Sequence, residues 1–514
     1  MADRPNILFI VSDQHNAKVL QHTGSFGVHT PHLSRMAAEG VSFNNATTQS
    51  PICTPSRVSF LSGQYCHNHG YYGLSGRNPG GLPTIFGHFR GAGYRTGAIG
   101  KIHCPEYWVE DDCDVFHETC EVSIGGRSPA YTRFLKERGK EHLEDNTILP
   151  EFGERGRQSM EGRPSPLTFE ESQEGWLAAR AVETMQQAAA ANQPFLLHVS
   201  FPRPHQCTSP SQAFWDLYDQ ASLTLPPNAD YDMVGKAPHL RQMAATWRTR
   251  DWPLIEPKTF EAARLRKLHG YLAAVSQVDA AVGVMLDYLR ESGLADNTIV
   301  VYTSDHGDYA CEHGIMEKAP GICSDAITRV PMIWWSPKRL AQGHIANEIV
   351  ELIDLSTTFC ALAGLPLLET SDGKDITHLL MGEQGAVREL GVTEFAWSKS
   401  LRKGPYRFVY YPREMFADDY PDGFGELYDL EADPWEMTNL FFEADYQGLV
   451  QAMRHDLLDW LVTTTRPGTV LGVNSRFPFQ PAGDQTAYRF LTNFNRDGKI
   501  HPDRLRNATG KNYL

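Results

Sequence analysis

Three nearly continuous apolar runs stand out along the chain, at residues 7–11, 195–200 and 298–302, and polar residues follow each of them at once. Unbroken apolar runs, rather than alternation of apolar and polar positions, are typical of strands buried on both faces of a parallel sheet. Open α/β sheets bind their ligands beyond the carboxyl ends of the strands. We therefore expect a functional site where the polar residues follow these runs.

Helical patterns lie between the runs. Residues 174–191 are rich in Ala, Leu, Met and Gln, with apolar residues at helical spacing. A longer helical pattern covers residues 260–291 and stops before Gly293, a predicted helix C-cap. Alternating strands and helices predict an α/β fold in which helices sandwich a large, mostly parallel sheet.

The pattern changes beyond residue 370. Short strands followed by one helix predict a smaller C-terminal α+β domain, with these elements at residues 391–395, 406–411, 426–430 and 444–464. We therefore place a large domain at residues 1–370, the small domain at 371–465 and a tail at 466–514. The tail either lies over its own domain or reaches the mouth of the site or a neighbouring subunit, so a homo-oligomer is one of the alternatives.

The net charge and the lengths of the apolar stretches argue against several classes of binding partner. The 514 residues carry a net charge of −15, which argues against binding nucleic acid or an anionic membrane surface. No apolar stretch approaches the length of a membrane span, and the run at 7–11 is too short for a secretion signal. The nine cysteines show no spacing typical of a disulfide framework. We expect a cytoplasmic protein without membrane or nucleic-acid partners.

Residues 53–57, Cys-Thr-Pro-Ser-Arg, match the Cys-x-Pro-x-Arg pattern at which a cysteine is converted to Cα-formylglycine. Water adds to the aldehyde and gives a diol. One hydroxyl can attack an ester, and the other can later lose its proton and expel the product, whereas a serine would remain esterified. A buried cysteine at the start of a helix with an early proline can have the same sequence, so the motif alone is weak evidence for formylglycine.

Other motifs strengthen this interpretation. They are Ser12-Asp13-Gln14, Thr30-Pro31-His32, Gly100-Lys101-Ile102-His103, Pro204-His205 and Ser304-Asp305-His306-Gly307-Asp308. Together with Cys53 the chain resembles the type I sulfatases, the formylglycine-dependent family of the alkaline phosphatase superfamily. The resemblance runs from about residue 5 to about residue 440 and implies an alkaline phosphatase-like fold, with residues 1–370 as the catalytic domain. Asp13-Gln14 and Asp305-His306 are most similar to choline sulfatases and phosphonate monoester hydrolases.

The resemblance implies one divalent metal ion. Its ligands would be Asp13, Gln14, Asp305, His306 and an oxygen of the hydrated formylglycine derived from Cys53. Carboxylate and amide oxygens suit Ca²⁺, whereas a histidine nitrogen suits Mn²⁺ better. Both ions stay open at this point.

The resemblance also implies catalytic roles. Arg57 would hold the hydrated formylglycine and donate to a ligand oxygen, and Lys101 would bind the sulfate. His103 would take the proton of the second hydroxyl. His205 would be the general acid for the leaving oxygen, with Lys318 beside it, so Lys101, His205 and Lys318 also bind substrate.

Ordinary structural explanations exist for each of these catalytic residues, such as salt bridges or loop positions. Lys101 and His103 are two residues apart and would point to the same side of a strand. Four further histidines are candidates for the pocket, but we expect most of them on the surface: His15, His67, His69 and His313.

These residues predict a sulfuric ester hydrolase that cleaves a small-molecule sulfate monoester after a formylglycine-generating enzyme has matured it. The alternative is a phosphonate monoester or phosphodiester hydrolase on the same scaffold. The Gly-Lys-x-His sequence at 100–103 favours sulfate, because phosphonate hydrolases depart from it. A binding protein without catalysis is disfavoured, since Cys53, Lys101 and Asp305 are all present. A redox role for Cys53 is disfavoured because Cys66 is poorly placed as a resolving cysteine.

Overall fold

The computed structural model describes these residues: 4–74, 81–105, 107–120, 128–143, 148–149, 157–158, 162–206, 208–249, 259–318 and 322–466. The predicted tail at 466–514 lies outside the described residues except for residue 466. Its contact with the site or with a neighbouring subunit therefore stays a prediction.

An eight-stranded sheet forms the larger part of the fold. In chain order its strands are β1 (Asn6–Asp13), β2 (Val41–Thr47), β3 (Arg95–Gly100), β4 (Val115–Glu118), β7 (Phe195–Pro204), β8 (Thr298–Ser304), β9 (Met332–Trp335) and β10 (His344–Glu351). A separate two-stranded sheet pairs β5 (Ile148–Leu149) with β6 (Arg157–Gln158). The spatial order of the large sheet is β10-β2-β9-β8-β1-β7-β3-β4. Only β9 runs antiparallel to its neighbours in this sheet, so the predicted mostly parallel sheet is confirmed.

Helices cover both faces of this sheet. The α-helices in the described part of residues 4–390 are α1 (Pro31–Ala38), α2 (Cys53–Ser62), α3 (Cys66–His69), α4 (Ile85–Gly91), α5 (Pro129–Lys136), α6 (Gln173–Ala190), α7 (Gln212–Trp215), α8 (Pro238–Thr249), α9 (Phe260–Glu291), α10 (Asp325–Thr328), α11 (Asp354–Leu362) and α12 (Thr377–Leu380). Alternate residues of β1 enter two different cores, as strand geometry requires. Phe9 packs in the core that contains α2, α4 and α11, and Ile10 in the core that contains α1, α6 and α9.

The long helix α9 occupies the range that the sequence predicts. Among the described residues it is the one helix long and apolar enough to cross a membrane by length and composition. Within its apolar window, 78% is buried inside the protein. The helix therefore behaves as a core element, and Gly293 follows it in the left-handed conformation with a φ of 75°.

A second, smaller sheet lies C-terminal to the first. It is antiparallel and contains β11 (Gly391–Phe395), β12 (Ser398–Lys403), β13 (Tyr406–Tyr410) and β14 (Gly425–Asp429) in that order. Helix α13 (Gln447–Thr464) packs on it, with Met453 and Trp460 beside Leu401 and Phe408 in one buried cluster. The predicted C-terminal α+β part is confirmed, whereas the boundaries at residues 370 and 465 stay predictions.

The sheet order brings four strand ends together. Strands β8, β1, β7 and β3 are successive neighbours and mutually parallel, so their carboxyl ends meet at one edge. Asp13 ends β1, Asp305 follows β8, His205 follows β7 and Lys101 follows β3. These are predicted site residues from four distant parts of the chain.

Candidate active site

Cys53 is the first residue of α2, and it is 1% exposed. Ile52 before it is extended, with φ −135° and ψ 141°, so the helix begins abruptly at the cysteine. Pro55 is tolerated because N–H groups in the first turn have no partner within the helix. The positive end of the helix dipole lies at Cys53 and favours negative charge there.

Arg57 lies one helical turn after Cys53, so both side chains leave the same face of α2. It is fully buried and donates through Nη2 to Asp13 Oδ2 at 2.8 Å and through Nε to Asp305 Oδ2 at 2.9 Å. Nη1 donates to Ser200 Oγ at 2.8 Å and to the carbonyl oxygen of Lys101. One guanidinium therefore fixes both predicted carboxylate ligands, and the predicted role of Arg57 in holding a hydrated formylglycine stays a prediction.

Arg57→Lys is expected to lower the melting temperature and to abolish most activity. A lysine provides one point charge, whereas the guanidinium spans two buried carboxylates in a fixed fork. Breaking a buried ion pair typically costs about 3 kcal/mol or more. Thermal unfolding measures the effect, with Arg35→Lys as the matched control, because Arg35 pairs with Glu39 on the surface. Equal melting temperatures for the two variants would contradict the role given to Arg57.

The two carboxylates have different electrostatic surroundings. Burial alone would raise the pKa of Asp13, but Lys101 and Arg57 hold it well below its usual range. Lys101 Nζ lies 2.8 Å from Asp13 Oδ2. Burial and the charge of Asp13 raise the pKa of Asp305. Of the two carboxyl groups, Asp13 is therefore the one whose surroundings favour the negatively charged form.

Cys53 Sγ lies at the centre of the predicted site. It is 3.1 Å from His306 Nε2, 3.1 Å from Lys318 Nζ and 4.0 Å from Asp13 Oδ1. Burial and Asp13 would raise the pKa of the thiol, but Lys318, Lys101 and His306 lower it well below its usual range. The surroundings therefore stabilise an anion at this position.

Four side chains of this centre are spaced to hold a metal ion: Asp13, Cys53, Asp305 and His306. Their ligand atoms lie within 4.8 Å of one another, and all four residues are buried. No other group of three or more His, Cys, Asp or Glu side chains in the described part of the chain meets the same criterion. Lys318 Nζ donates to Gln14 Oε1 at 3.0 Å and so connects the Gln14 side chain to the group. Two carboxylates, an imidazole and an amide oxygen are a donor set that fits a divalent ion.

The two predicted proton-transfer residues flank the centre. The backbone N–H of His205 donates to the carbonyl oxygen of Asp13 at 3.1 Å. Its Nδ1 lies 2.6 Å from the carbonyl oxygen of Gln206, which fixes the ring. The carbonyl oxygen of His103 accepts from Thr54 Oγ1 at 2.9 Å, so its loop is tied to the first turn of α2. His103 Nδ1 is buried and has no hydrogen-bond partner within the described ranges.

Two expectations from the sequence are wrong. Lys101 and His103 do not share a strand face, because β3 ends at Gly100 and His103 is left-handed with a φ of 48°. The further histidines are not mostly on the surface, since His15 and His69 are fully buried and His313 is 1% exposed. Burial lowers the pKa of His15 to about 4 and that of His69 to about 3, so both rings are neutral. His67 is half-buried.

Several supporting residues are not among the site residues that the sequence predicts. Thr48 Oγ1 and Ser56 Oγ both donate at 2.6 Å to the carbonyl oxygen of Asp305 and fix the chain at that ligand. Asp308 accepts from the side-chain amide of Gln14. Ser56 lies inside the Cys-x-Pro-x-Arg motif, and Asp308 lies two residues after His306. Their places inside the motifs at 53–57 and 304–308 are the only signal in the sequence, because neither residue has an unusual type for its position.

The fold and the site define an α/β enzyme with a buried centre of paired carboxylates and cations at the carboxyl edge of its sheet. The family model described as Sulfatase matches residues 5–365, and the model described as N-sulphoglucosamine sulphohydrolase, C-terminal, matches residues 311–462. The chain therefore belongs to the sulfatase family, and it is a sulfatase enzyme.

Known relatives agree with this assignment. A choline-sulfatase of Rhizobium meliloti is 27% identical over 449 residues, covering 85% of this chain and 82% of the relative. An arylsulfatase of Clostridium perfringens is 26% identical over 472 residues, covering 88% and 94%. A solved phosphonate monoester hydrolase from Silicibacter pomeroyi superposes with a TM-score of 0.74 at 23% identity, covering 90% and 96%. This last similarity shows a shared fold.

Proposed function

We propose that the protein hydrolyses sulfate monoesters of small molecules with a hydrated formylglycine at position 53 and one divalent metal ion, Ca²⁺ or Mn²⁺. The observation that carries the proposal is the position of Cys53. A formylglycine oxygen would take the place of its sulfur, which lies 3.1 Å from both His306 Nε2 and Lys318 Nζ. The pattern Cys-x-Pro-x-Arg supports the same modification.

The residues present fit both the divalent metal ion and the formylglycine. Asp13, Gln14, Asp305 and His306 would hold the metal ion, which would polarise the sulfate and lower the pKa of an oxygen bound to it. A formylglycine would supply the nucleophilic hydroxyl and a route to release the product. Arg57 keeps the two carboxylates in place for either group, since it donates to both of them.

The cations of the site would bind and stabilise the anionic group. Lys101 and Lys318 are both buried, at 1% and 7% exposure, and both face the Cys53 and Asp13 region. Preorganised donors in a site that excludes water stabilise developing negative charge better than water does. We assign Lys101 and Lys318 to the sulfate oxygens.

The two flanking histidines would move protons. His205 would donate a proton to the leaving oxygen, and the contact between its Nδ1 and the carbonyl oxygen of Gln206 holds the ring in place. His103 would accept the proton whose loss releases the product. Its loop contacts Thr54, the residue after Cys53, which keeps it beside the reacting position.

The proposal is tested by comparing sulfate esters with phosphonate esters as substrates. We expect kcat/KM to be higher for an aryl sulfate than for an aryl phosphonate monoester with the same leaving group. The protein is co-expressed with a formylglycine-generating enzyme, and both esters are assayed on one preparation. A Cys53→Ala preparation is the matched control. Higher kcat/KM for the phosphonate would replace the proposal by the phosphonate hydrolase alternative.

A further inference from the structure

The backbone of Gln14 is held in an unusual conformation. Its φ is 66°, in the left-handed region that few non-glycine residues adopt. Its N–H donates to Asp305 Oδ1 at 3.0 Å, and its carbonyl oxygen accepts from Tyr271 Oη at 2.7 Å. Tyr271 Oη in turn accepts from the N–H of Asn16 at 2.9 Å. Contacts on both sides therefore stabilise this conformation and aim the side chain.

The side-chain amide of Gln14 is held at both ends. Nε2 donates to Asp308 Oδ2 and, at 3.2 Å, to Gln206 Oε1. Oε1 accepts from Lys318 Nζ at 3.0 Å, and the same ammonium lies 3.1 Å from Cys53 Sγ. The nitrogen of the amide thus points away from the centre and its oxygen points toward it.

Asp308 is itself fixed and fully buried. Its Oδ1 accepts from the N–H of Ala310 at 2.6 Å, which leaves Oδ2 for Gln14. Its carbonyl oxygen accepts from Asn16 Nδ2 at 2.7 Å. Carboxylate oxygens accept hydrogen bonds, so Oδ2 of Asp308 selects the nitrogen end of the Gln14 amide.

We propose that Asp308 is a positioning residue that orients the Gln14 amide so that its oxygen, not its nitrogen, faces the metal ion. The inference rests on the proposed function, because it needs a metal ion held by Gln14. Partners of this kind, which orient a ligand without touching the metal, typically change metal affinity 10–100-fold when they are mutated.

The first test is Asp308→Asn. In this variant the N–H of Ala310 still donates to Oδ1 of residue 308. The NH₂ group of the new asparagine must then face the NH₂ group of Gln14. Two donors then oppose each other, and the Gln14 amide loses its orientation. We expect the affinity for Mn²⁺ and Ca²⁺ to fall 10–100-fold, measured by titration calorimetry on the chelator-treated full-length protein. The matched control is Asp279→Asn, a carboxylate buried against the N–H groups of His32 and Leu33, which should bind metal like the wild type.

The second test separates orientation from charge and from general damage. In a Gln14→Glu background, residue 14 presents oxygen at both ends of its side chain. Asp308→Asn should then cost no metal affinity, because the new NH₂ group donates to the new carboxylate. A pure charge effect of Asp308 would lower the affinity in both backgrounds by the same factor. Non-additivity between residues in contact is the signature of a direct interaction.

The outcomes are distinguishable from failure of the proposed function. Wild-type affinity in Asp308→Asn, or equal losses in the two backgrounds, would overturn the inference while sulfate ester hydrolysis by the wild type stands. A wild-type protein that binds neither ion would overturn the metal centre and the inference together. A 10–100-fold loss that disappears in the Gln14→Glu background would establish Asp308 as a positioning residue.

Discussion

Asp13→Asn is expected to lower kcat/KM for sulfate esters by about a thousandfold or more. The carboxylate of Asp13 contacts Arg57 and Lys101 at 2.8 Å and lies 4.0 Å from Cys53 Sγ, so it connects the proposed metal ligands to a cation that we assign to the sulfate oxygens. An amide keeps the shape but removes the charge. It would leave Arg57 and Lys101 short of a buried counter-charge and would weaken the metal site.

Activity and metal content are measured together for this variant. The control is again Asp279→Asn, which makes the same change in another buried carboxylate. We expect it to keep both metal and activity even if its melting temperature falls. Full metal occupancy in Asp13→Asn would show that Asp13 is not a metal ligand.

The second large effect concerns His205. His205→Ala is expected to slow hydrolysis of alkyl sulfates, whose leaving groups are poor, by about a hundredfold or more, the usual contribution of a general acid. Nitrophenyl sulfate needs little protonation of its leaving oxygen, so kcat/KM for this ester should fall much less. The measurement is kcat/KM across a leaving-group series, for the wild type and the variant.

His103→Ala provides the comparison for this series. If His103 acts in product release, its loss should lower kcat to a similar value for every ester, because the alcohol has already left, while kcat/KM should change little. Sulfate bound covalently to the enzyme should then accumulate and appear in mass spectra. Equal losses across the series for His205→Ala would transfer the role of acid to Lys318, which also contacts the centre.

Much of the site could be predicted because its residues follow recognisable strands. Asp13 and Asp305 come two and three residues after apolar runs, and neighbouring parallel strands place such residues side by side. Cys53 and Arg57 are four residues apart, and a helix that begins at Cys53 puts them on one face. The eight cysteines that the structure describes are free thiols, in agreement with the absence of a disulfide framework in the sequence.

Other features could not be predicted, because they depend on contacts between distant residues. Strand β9 is antiparallel in an otherwise parallel sheet, and its short apolar sequence does not reveal direction. The loop at 101–103 leaves the strand geometry because Gly100 ends β3 with a φ of 110°. Asp308 ends the motif at 304–308, but the sequence does not show that its side chain contacts Gln14.

The most direct test of the central claim is the mass of the tryptic peptide that contains position 53, residues 36–57. Conversion of Cys53 to formylglycine lowers its mass by about 18 Da. Preparations are made with and without the formylglycine-generating enzyme, and sulfate release from an aryl sulfate is measured on each. We predict that activity rises in proportion to the fraction of converted peptide. Fully active protein whose peptide contains only cysteine would contradict the formylglycine mechanism.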